Sequence, residues 1–287
     1  MLIKILSSLF AILSFAIPAY CQYSFKQEIN FVEHLNGLKT YDDALFHLRA
    51  LKSSNQGQSD TVSFWQGKLF YQKKSLAQSV NAFNQVSGTV RPLYRQARFQ
   101  SSLQLAYLNL YDSAYHHLDN YSAVDELYQG LQYFQLASIG LLKRDFDVYE
   151  KNANNFNGLY YAFKDYESDL TGIHDLIKNR KTKSPLLAGM MSAVIPGSGK
   201  IYAGKIGQGA MSLLISGIFG LQTWESYRKD GVKSPRFIIF GSLFSAFYVA
   251  NVWGSVVTVK MTEIEFNDSA NEAILVNMHV PLRVIFD

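Results

Sequence analysis

Cysteine is nearly missing from this sequence: Cys21 is the only one in 287 residues, which excludes an intrachain disulfide and any cysteine pair for zinc or redox chemistry. Catalytic signatures are missing too. No Gly-x-Ser-x-Gly or His-Glu-x-x-His occurs, no carboxylate pair is singled out by its context, and the six histidines are scattered. His116 and His117 are adjacent, so on a helix they point to different faces and do not chelate together. The expectation is a non-enzyme, with no catalytic residue, cofactor or metal. Charge is scarce as well, at 17% of residues, and the shortage concentrates in the first 21 residues and from about Pro185 to Val259. Both stretches call for a membrane explanation.

What is present is apolar: 48% of residues are hydrophobic, enough for a sizeable core in one large domain or two smaller ones. The formal net charge of +4 gathers in two groups, Lys178, Arg180, Lys181, Lys183 and Arg228, Lys229, Lys233, Arg236, each abutting an apolar run. Charges placed this way meet lipid headgroups. No basic stripe with interleaved aromatics lies elsewhere, so nucleic acid is not an expected partner.

The N-terminus reads as a signal peptide over residues 1–21. Lys4 precedes the apolar run Ile5 to Ile17, followed by Pro18 and the site Ala19-Tyr20-Cys21, so cleavage would leave Gln22 first. The run is short for a lasting anchor. A lipid-anchored Cys21 is disfavoured by Tyr20, because that motif wants a small residue before the cysteine.

Residues 22–180 carry helical periodicity. Phe25, Ile29, Val32 and Leu35 share one face, as do Tyr41, Leu45, Leu48 and Leu51 beyond the breaker Gly37. A second-helix quartet then recurs as Tyr41 to Ala44, Lys74 to Ala77, Tyr111 to Ala114 and Phe146 to Tyr149, with steps of 33, 37 and 35 residues between fourth positions. Before these quartets, Phe64 to Tyr71 and Arg98 to Leu108 alternate large and small residues, and Gly67 and Ser102 would permit close helix approach. The stretch resembles a degenerate tetratricopeptide array of about four units, whose period is about 34 residues. That resemblance implies stacked helix pairs forming a curved solenoid with a concave binding surface. Tyr107, Tyr111, Tyr115, Tyr121, Tyr128 and Tyr133 crowd its middle and form the candidate interaction surface, although aromatics at helical spacing are more often packing between repeats.

Residues 184–260 read as a membrane module. Pro185 to Ile195 is an apolar helix too short to span, either re-entrant or interfacial, and it ends at Pro196-Gly197-Ser198-Gly199. Residues 206–224 and 237–259 each supply the length a bilayer requires, giving a transmembrane helical hairpin. Small residues at four-residue spacing, Ser212, Ser216, Gly220 and Ser242, Ala246, Ala250, Gly254, are expected to let the two helices touch, with Asn251 bonding across. Trp224, Tyr227, Tyr248 and Trp253 suit the interfacial belt. The residues Ser184-Pro185, Ala188-Gly189, Ser192-Ala193, Pro196-Gly197, Gly199, Tyr202, Gly204, Tyr248, Asn251 and Gly254 resemble a family of largely uncharacterised bacterial membrane proteins. Lys200 departs from the glutamine usual there. The resemblance implies an integral membrane module joined to repeat or envelope domains, with Pro196, Gly197, Gly199, Tyr202, Gly204 and Asn251 as its motif. Pro196 to Lys200 also mimics a phosphate-binding loop, but Val194 and Ile201 stand where that loop needs Gly and Ser or Thr, so no nucleotide is expected.

The tail, residues 261–287, alternates apolar side chains from Val276 to Phe286, a pattern that predicts an edge strand over 276–286 or an extended segment. The fold class expected is thus all-α: a tetratricopeptide-like solenoid, then a short helix and a transmembrane hairpin. A cleaved signal and two spans place the repeats in the periplasm and the Arg228 to Arg236 loop inside; a cytoplasmic repeat domain with three spans is the alternative. The function expected is a scaffold or adaptor in the bacterial cell membrane, with the lipid bilayer and another envelope protein as partners. An accessory subunit of a transport or protein-insertion machine is the second reading.

Overall fold

The computed structural model describes residues 24–51 and 53–286, so the signal peptide expected over residues 1–21, Cys21 included, lies outside them. Among the described residues every regular element is a helix. In chain order these are α1 (Phe25–Gly37), α2 (Tyr41–Ala50), α3 (Gln56–Gln72), α4 (Leu76–Asn84), α5 (Arg91–Tyr107), α6 (Tyr111–Asp119) and α7 (Glu126–Lys143). They continue as α8 (Phe146–Ala153), α9 (Lys164–Lys178), α10 (Pro185–Val194), α11 (Ser198–Tyr202), α12 (Ile206–Asp230) and α13 (Pro235–Phe286). The chain forms two compact units, one through Gln132 and one from Tyr133 to Ile285.

In the first unit local signals start the helices. Ser24 and Gln27 form a reciprocal capping box on α1, and the Asn55 side chain accepts from the Gln58 amide at 2.9 Å to open α3. Pro92 sits in the first turn of α5, where a missing N–H costs nothing. The stops are more regular still. Lys39, Lys74, Asn109 and Arg144 are the non-glycine residues with positive φ among those described, at 62°, 63°, 60° and 59°. They recur every 35 residues. Just after each one an amide reaches back five residues, Thr40 to the Leu35 carbonyl at 3.1 Å, and Ser75 to Phe70, Leu110 to Leu105 and Asp145 to Gly140 at 2.9 Å. This is a left-handed helix stop that satisfies an orphan carbonyl before the next helix begins.

The second helices accordingly begin at Tyr41, Leu76, Tyr111 and Phe146, each 35 residues after the last. The quartet expected at Lys74 to Ala77 is therefore two residues early, because Lys74 is the left-handed stop itself and Ser75 precedes the helix. With the register corrected, Ala44, Ser79, Ala114 and Tyr149 are equivalent, and all are buried. Phe64, Phe99 and Phe134 repeat in the first helices at the same step, also buried.

Packing follows chain order: α1 on α2, α2 on α3, and so on to α6, with α3 also touching α5. The close approach expected at Gly67 is present, since a Cβ there would lie 2.6 Å from the Phe83 ring. Ser79 Oγ donates to the Gly67 carbonyl at 2.6 Å, and in the next pair Ser102 Oγ donates to the Ala114 carbonyl at 2.9 Å. The same two positions thus bond in both pairs with donor and acceptor exchanged. Asp60 ties down the α4–α5 loop. Its fully buried carboxylate accepts from Ser87 N at 2.9 Å, Ser87 Oγ at 3.0 Å, Thr89 N at 3.1 Å and Val90 N at 3.4 Å.

In the second unit α13 is one helix of 52 residues. The edge strand expected over 276–286 is absent; those residues are its last turns. Ala270, Ile274, Asn277, Met278, Pro281 and Leu282 are buried at spacings of three and four, so a helical period lay beneath the alternation. A lone strand leaves its backbone unpaired, whereas the helix pairs its own and forfeits one bond at Pro281. Long polar side chains of other helices hold this half in place. Gln135 Nε2 donates to the Met278 carbonyl at 2.8 Å, and Arg180 meets Glu263 at 3.0 Å with its guanidinium 3.5 Å over the Phe266 ring. Of the two spans expected, α13 is the one long and apolar enough, by length and composition, to cross a membrane among the described residues. Helix α12 is 25 residues long but less apolar, with Gln208, Gln222, Thr223 and Glu225 along it.

Burial raises the Asp60 pKa, but hydrogen bonds from Ser87, Gln56 and Val90 outweigh it and hold the carboxyl below its ordinary value. A depressed folded pKa stabilises the fold above the unfolded pKa, and the benefit disappears as pH falls through the folded one. Asp60→Asn should thus cost about 1–3 kcal/mol at neutral pH, read as faster hydrogen exchange at the Ser87 to Val90 amides. The gap from the parent should narrow below about pH 4.

Candidate functional site

The motif residues converge on the turn between α10 and α12. Pro185 opens α10 and Ser184 Oγ caps it, accepting from the Leu187 amide at 3.3 Å. The helix stops at Ile195-Pro196. Gly197 then takes a φ of 90°, and a Cβ on it would lie 2.1 Å from the Gly209 carbonyl oxygen on α12. A Cβ on Gly199 would lie 2.0 Å from the Ala188 carbonyl oxygen on α10. Backbone therefore touches backbone on both sides of the turn, which any side chain would prevent. Tyr202 closes the module by accepting from the Ser184 amide at 3.2 Å, and the Lys183 ammonium sits 5.7 Å from its ring centre.

Behind the turn runs a polar seam. The Gly199 amide donates to Ser192 Oγ at 2.9 Å, Ser192 and Ser255 share a hydrogen bond of 2.7 Å, and Ser255 Oγ donates to the Asn251 carbonyl at 2.9 Å. Each hydroxyl has one proton, so the direction is set: Ser255 spends its proton on Asn251, and Ser192 donates to Ser255. Lys200 Nζ donates to Ser212 Oγ at 2.7 Å, and its side chain passes 3.6 Å from where a Gly254 Cβ would stand. Tyr248 donates to the Ala193 carbonyl. The Asn251 side chain is 5% exposed, and neither its amide nitrogen nor its oxygen has a partner. The bond expected from Asn251 across the hairpin is thus not made; its backbone carbonyl accepts from Ser255 on the same helix, and Ser255 bonds Ser192 on α10.

One small-residue ladder also needs correction. Ser212, Ser216 and Gly220 face inward on α12 as expected, with Gly220 3.2 Å from Phe244 by its absent Cβ. In the first half of α13 the buried positions are Asn251, Ser255 and Val259, while Ser242, Ala246 and Ala250 are exposed. The helices meet through Phe244 and through Phe219 stacked on Phe247 at 5.0 Å, so bulky rings occupy the α13 side of the contact. Ser255 was not singled out by sequence reading. Its spacing of four from Asn251 was the available signal.

The six tyrosines expected as an interaction surface are all half-buried, and the structure gathers only some of them. Tyr121 packs against Tyr94 at 6.1 Å and Phe99 at 5.7 Å, and Tyr128 lies 3.5 Å beneath the Arg95 guanidinium, which also pairs with Asp125 at 3.1 Å. Arg91, Tyr94, Arg95, Tyr121 and Asp125 line a cavity of about 570 Å³ there. Tyr107, Tyr111 and Tyr115 do not line it; Tyr111 donates to Asn109 Oδ1 at 2.7 Å and Tyr115 meets His116 edge-on. His117 is pushed down to about 4 by burial and by Arg98, so it is neutral near pH 7.

No family model matches the chain, and neither a curated protein nor a solved structure matches it.

Gly197→Ala and Gly209→Ala should each lower the stability of the protein by roughly 1–3 kcal/mol through overpacking. Gly207→Ala, with nothing within 4 Å of the new Cβ, should leave its thermal midpoint unchanged or slightly raised. Asn251→Leu removes a buried amide that bonds nothing, so stability should hold or rise by about 1 kcal/mol. A fall of that size instead would show that the Asn251 side chain is a structural bond-maker.

Proposed function

We propose that this chain is a non-enzymatic adaptor of the bacterial cell envelope, fixed to a lipid bilayer by α12 and α13 and engaging another envelope protein through its helix pairs. One observation carries the anchor: the module is oily outside and polar inside. Leu186, Val194, Leu221, Val249 and Trp253 are 71%, 82%, 71%, 66% and 70% exposed, whereas Ser192, Ser216, Asn251 and Ser255 are buried. Only 6% of the most apolar stretch of α13 is buried. Water would penalise such a surface, and hydrocarbon accepts it. In lipid, helices are held by close contact and internal polar groups, which is how this interior is built.

Helix pairs stepping by 35 residues, the first three packed in chain order, support the tetratricopeptide-like reading. The cavity around Arg95 and Tyr121 is the part of the expected tyrosine surface best suited to hold a partner side chain. A cleaved signal places the pairs in the periplasm, with the Arg228 to Arg236 loop on the cytoplasmic side. A second reading, an accessory subunit of a transport or insertion machine, draws support from Lys200 and the unpartnered Asn251 inside the module.

The anchor is tested by alkaline washing and high-speed centrifugation of membranes. The parent should stay in the pellet, and Ile218→Asp with Val249→Asp, each costing about 2.5–3.5 kcal/mol in hydrocarbon, should move it toward the supernatant. A parent that remains folded, monomeric and soluble without detergent overturns the anchor. A periplasm-only reporter joined after Lys178 should be active; silence there reverses the topology.

A further inference from the structure

Helices α9 and α13 enclose a groove that the adaptor reading has not used. It has a volume of about 750 Å³ and runs from Ser168 to Leu176 on one helix and from Ser269 to Asn277 on the other. Eight residues of helix rise make it about 12 Å long, room for two turns of a third helix. Its floor is apolar: Ile173, Leu176, Ala273 and Val276, with Leu176 67% and Val276 48% exposed. Gly172 leaves a notch, because nothing lies within 4 Å of where its Cβ would be.

Two further observations describe the occupant. The charged groups lining the groove are Asp169 and Glu272, both exposed, and neither forms an ion pair among the described residues. A groove with two free carboxylates and no cation attracts basic side chains and repels anionic headgroups. At its end Asn277 is 7% exposed, lines the cavity, and has no partner for its amide nitrogen. A buried donor left open costs free energy until an acceptor reaches it. The groove also has a fixed height, since Ser269 is ten residues beyond Val259 on one continuous helix, about 15 Å from the end of the apolar half.

We infer that this groove is the docking site for an amphipathic helix of a partner protein, one with a small-to-medium apolar face flanked by Lys or Arg, such as the basic segment beside a membrane span. Its apolar face covers Leu176, Ala273 and Val276, its cations meet Asp169 and Glu272, and a backbone carbonyl or polar side chain accepts from Asn277. Helix-in-groove recognition needs these three elements. The inference rests on the adaptor reading for the existence of a partner, but not on the anchor, because the groove residues lie beyond the apolar half of α13.

The test uses the full chain in phosphatidylcholine nanodiscs, with Cys21→Ser and Leu176→Cys carrying a bimane fluorophore, whose quenching by tryptophan reports contact at the groove itself. The probe is a synthetic helix of about fourteen residues with an Ala/Leu face, flanking lysines and one tryptophan. Saturable quenching is expected, weakened at least about tenfold by Asp169→Lys with Glu272→Lys and by Gly172→Leu, and absent when glutamates replace the probe's lysines. Should the lysine variant misfold by circular dichroism, Asp169→Asn with Glu272→Gln decides, with a several-fold loss expected. Equal quenching by both probes, or quenching that none of the groove variants weakens, overturns the inference. A bimane shift that grows with protein concentration in the absence of probe overturns it too, by assigning the groove to a second copy. A chain that proves soluble is assayed in buffer without discs, so loss of the anchor and loss of the groove give separate results.

Discussion

A single helix of 52 residues cannot turn, and that stiffness organises the second unit. Helix α13 passes from a half that exposes Ile238, Val249 and Trp253 to a half that buries Ile274, Met278 and Leu282. Apart from the bond forfeited at Pro281, its backbone bonds are satisfied internally, so the change concerns mainly side chains. In the first half the buried residues are Asn251, Ser255 and Val259, with Ser255 bonded to Ser192. In the second half the inward face is apolar and clamped by Gln135, Arg144 and Arg180, three long polar side chains that reach Met278, Asn267 and Glu263. The position of the acidic groove beside α9 follows from this, because the same rod carries both.

The Pro196 turn answers a related constraint. Backbone that leaves a helix and is buried must find partners nearby. Here the Gly199 amide finds Ser192, and the Ser192 and Ser255 hydroxyls pass the demand along to a helix carbonyl. That chain needs α10, α11 and α13 within hydrogen-bond reach, and glycine at 197, 199 and 209 is what permits it. The turn glycines and the buried serines are therefore two aspects of one solution.

Much of the site was legible in the residues, and the failures have physical causes. Pro196, Gly197, Gly199 and Tyr202 announce a tight turn because only glycine tolerates φ near 90° and close backbone approach. The α13 ladder was misread because small residues at a four-residue spacing occupy two faces of that helix, Ala246 and Ala250 on one and Asn251 and Ser255 on another. Spacing cannot say which face meets a neighbour. The repeat was misread by two residues in one unit because a lysine in the left-handed conformation looks, in sequence, like the first residue of a helix. The six tyrosines are divided for a similar reason: they are close in sequence, and the packing of α5 brings only Tyr121 and Tyr128 to Arg95.

By itself the sequence determined the helical class, the pairing of helices at a near-constant period, the apolar module and its glycine turn. Each of these depends on local periodicity, on single-residue conformational freedom or on a run of oily side chains. Tertiary structure alone decided that the tail is helical, that Asn251 keeps its amide unpartnered and that Asp169 and Glu272 share one groove. Those outcomes turn on which faces meet across more than sixty residues of intervening chain, and long-range contact is what a short stretch of sequence does not encode.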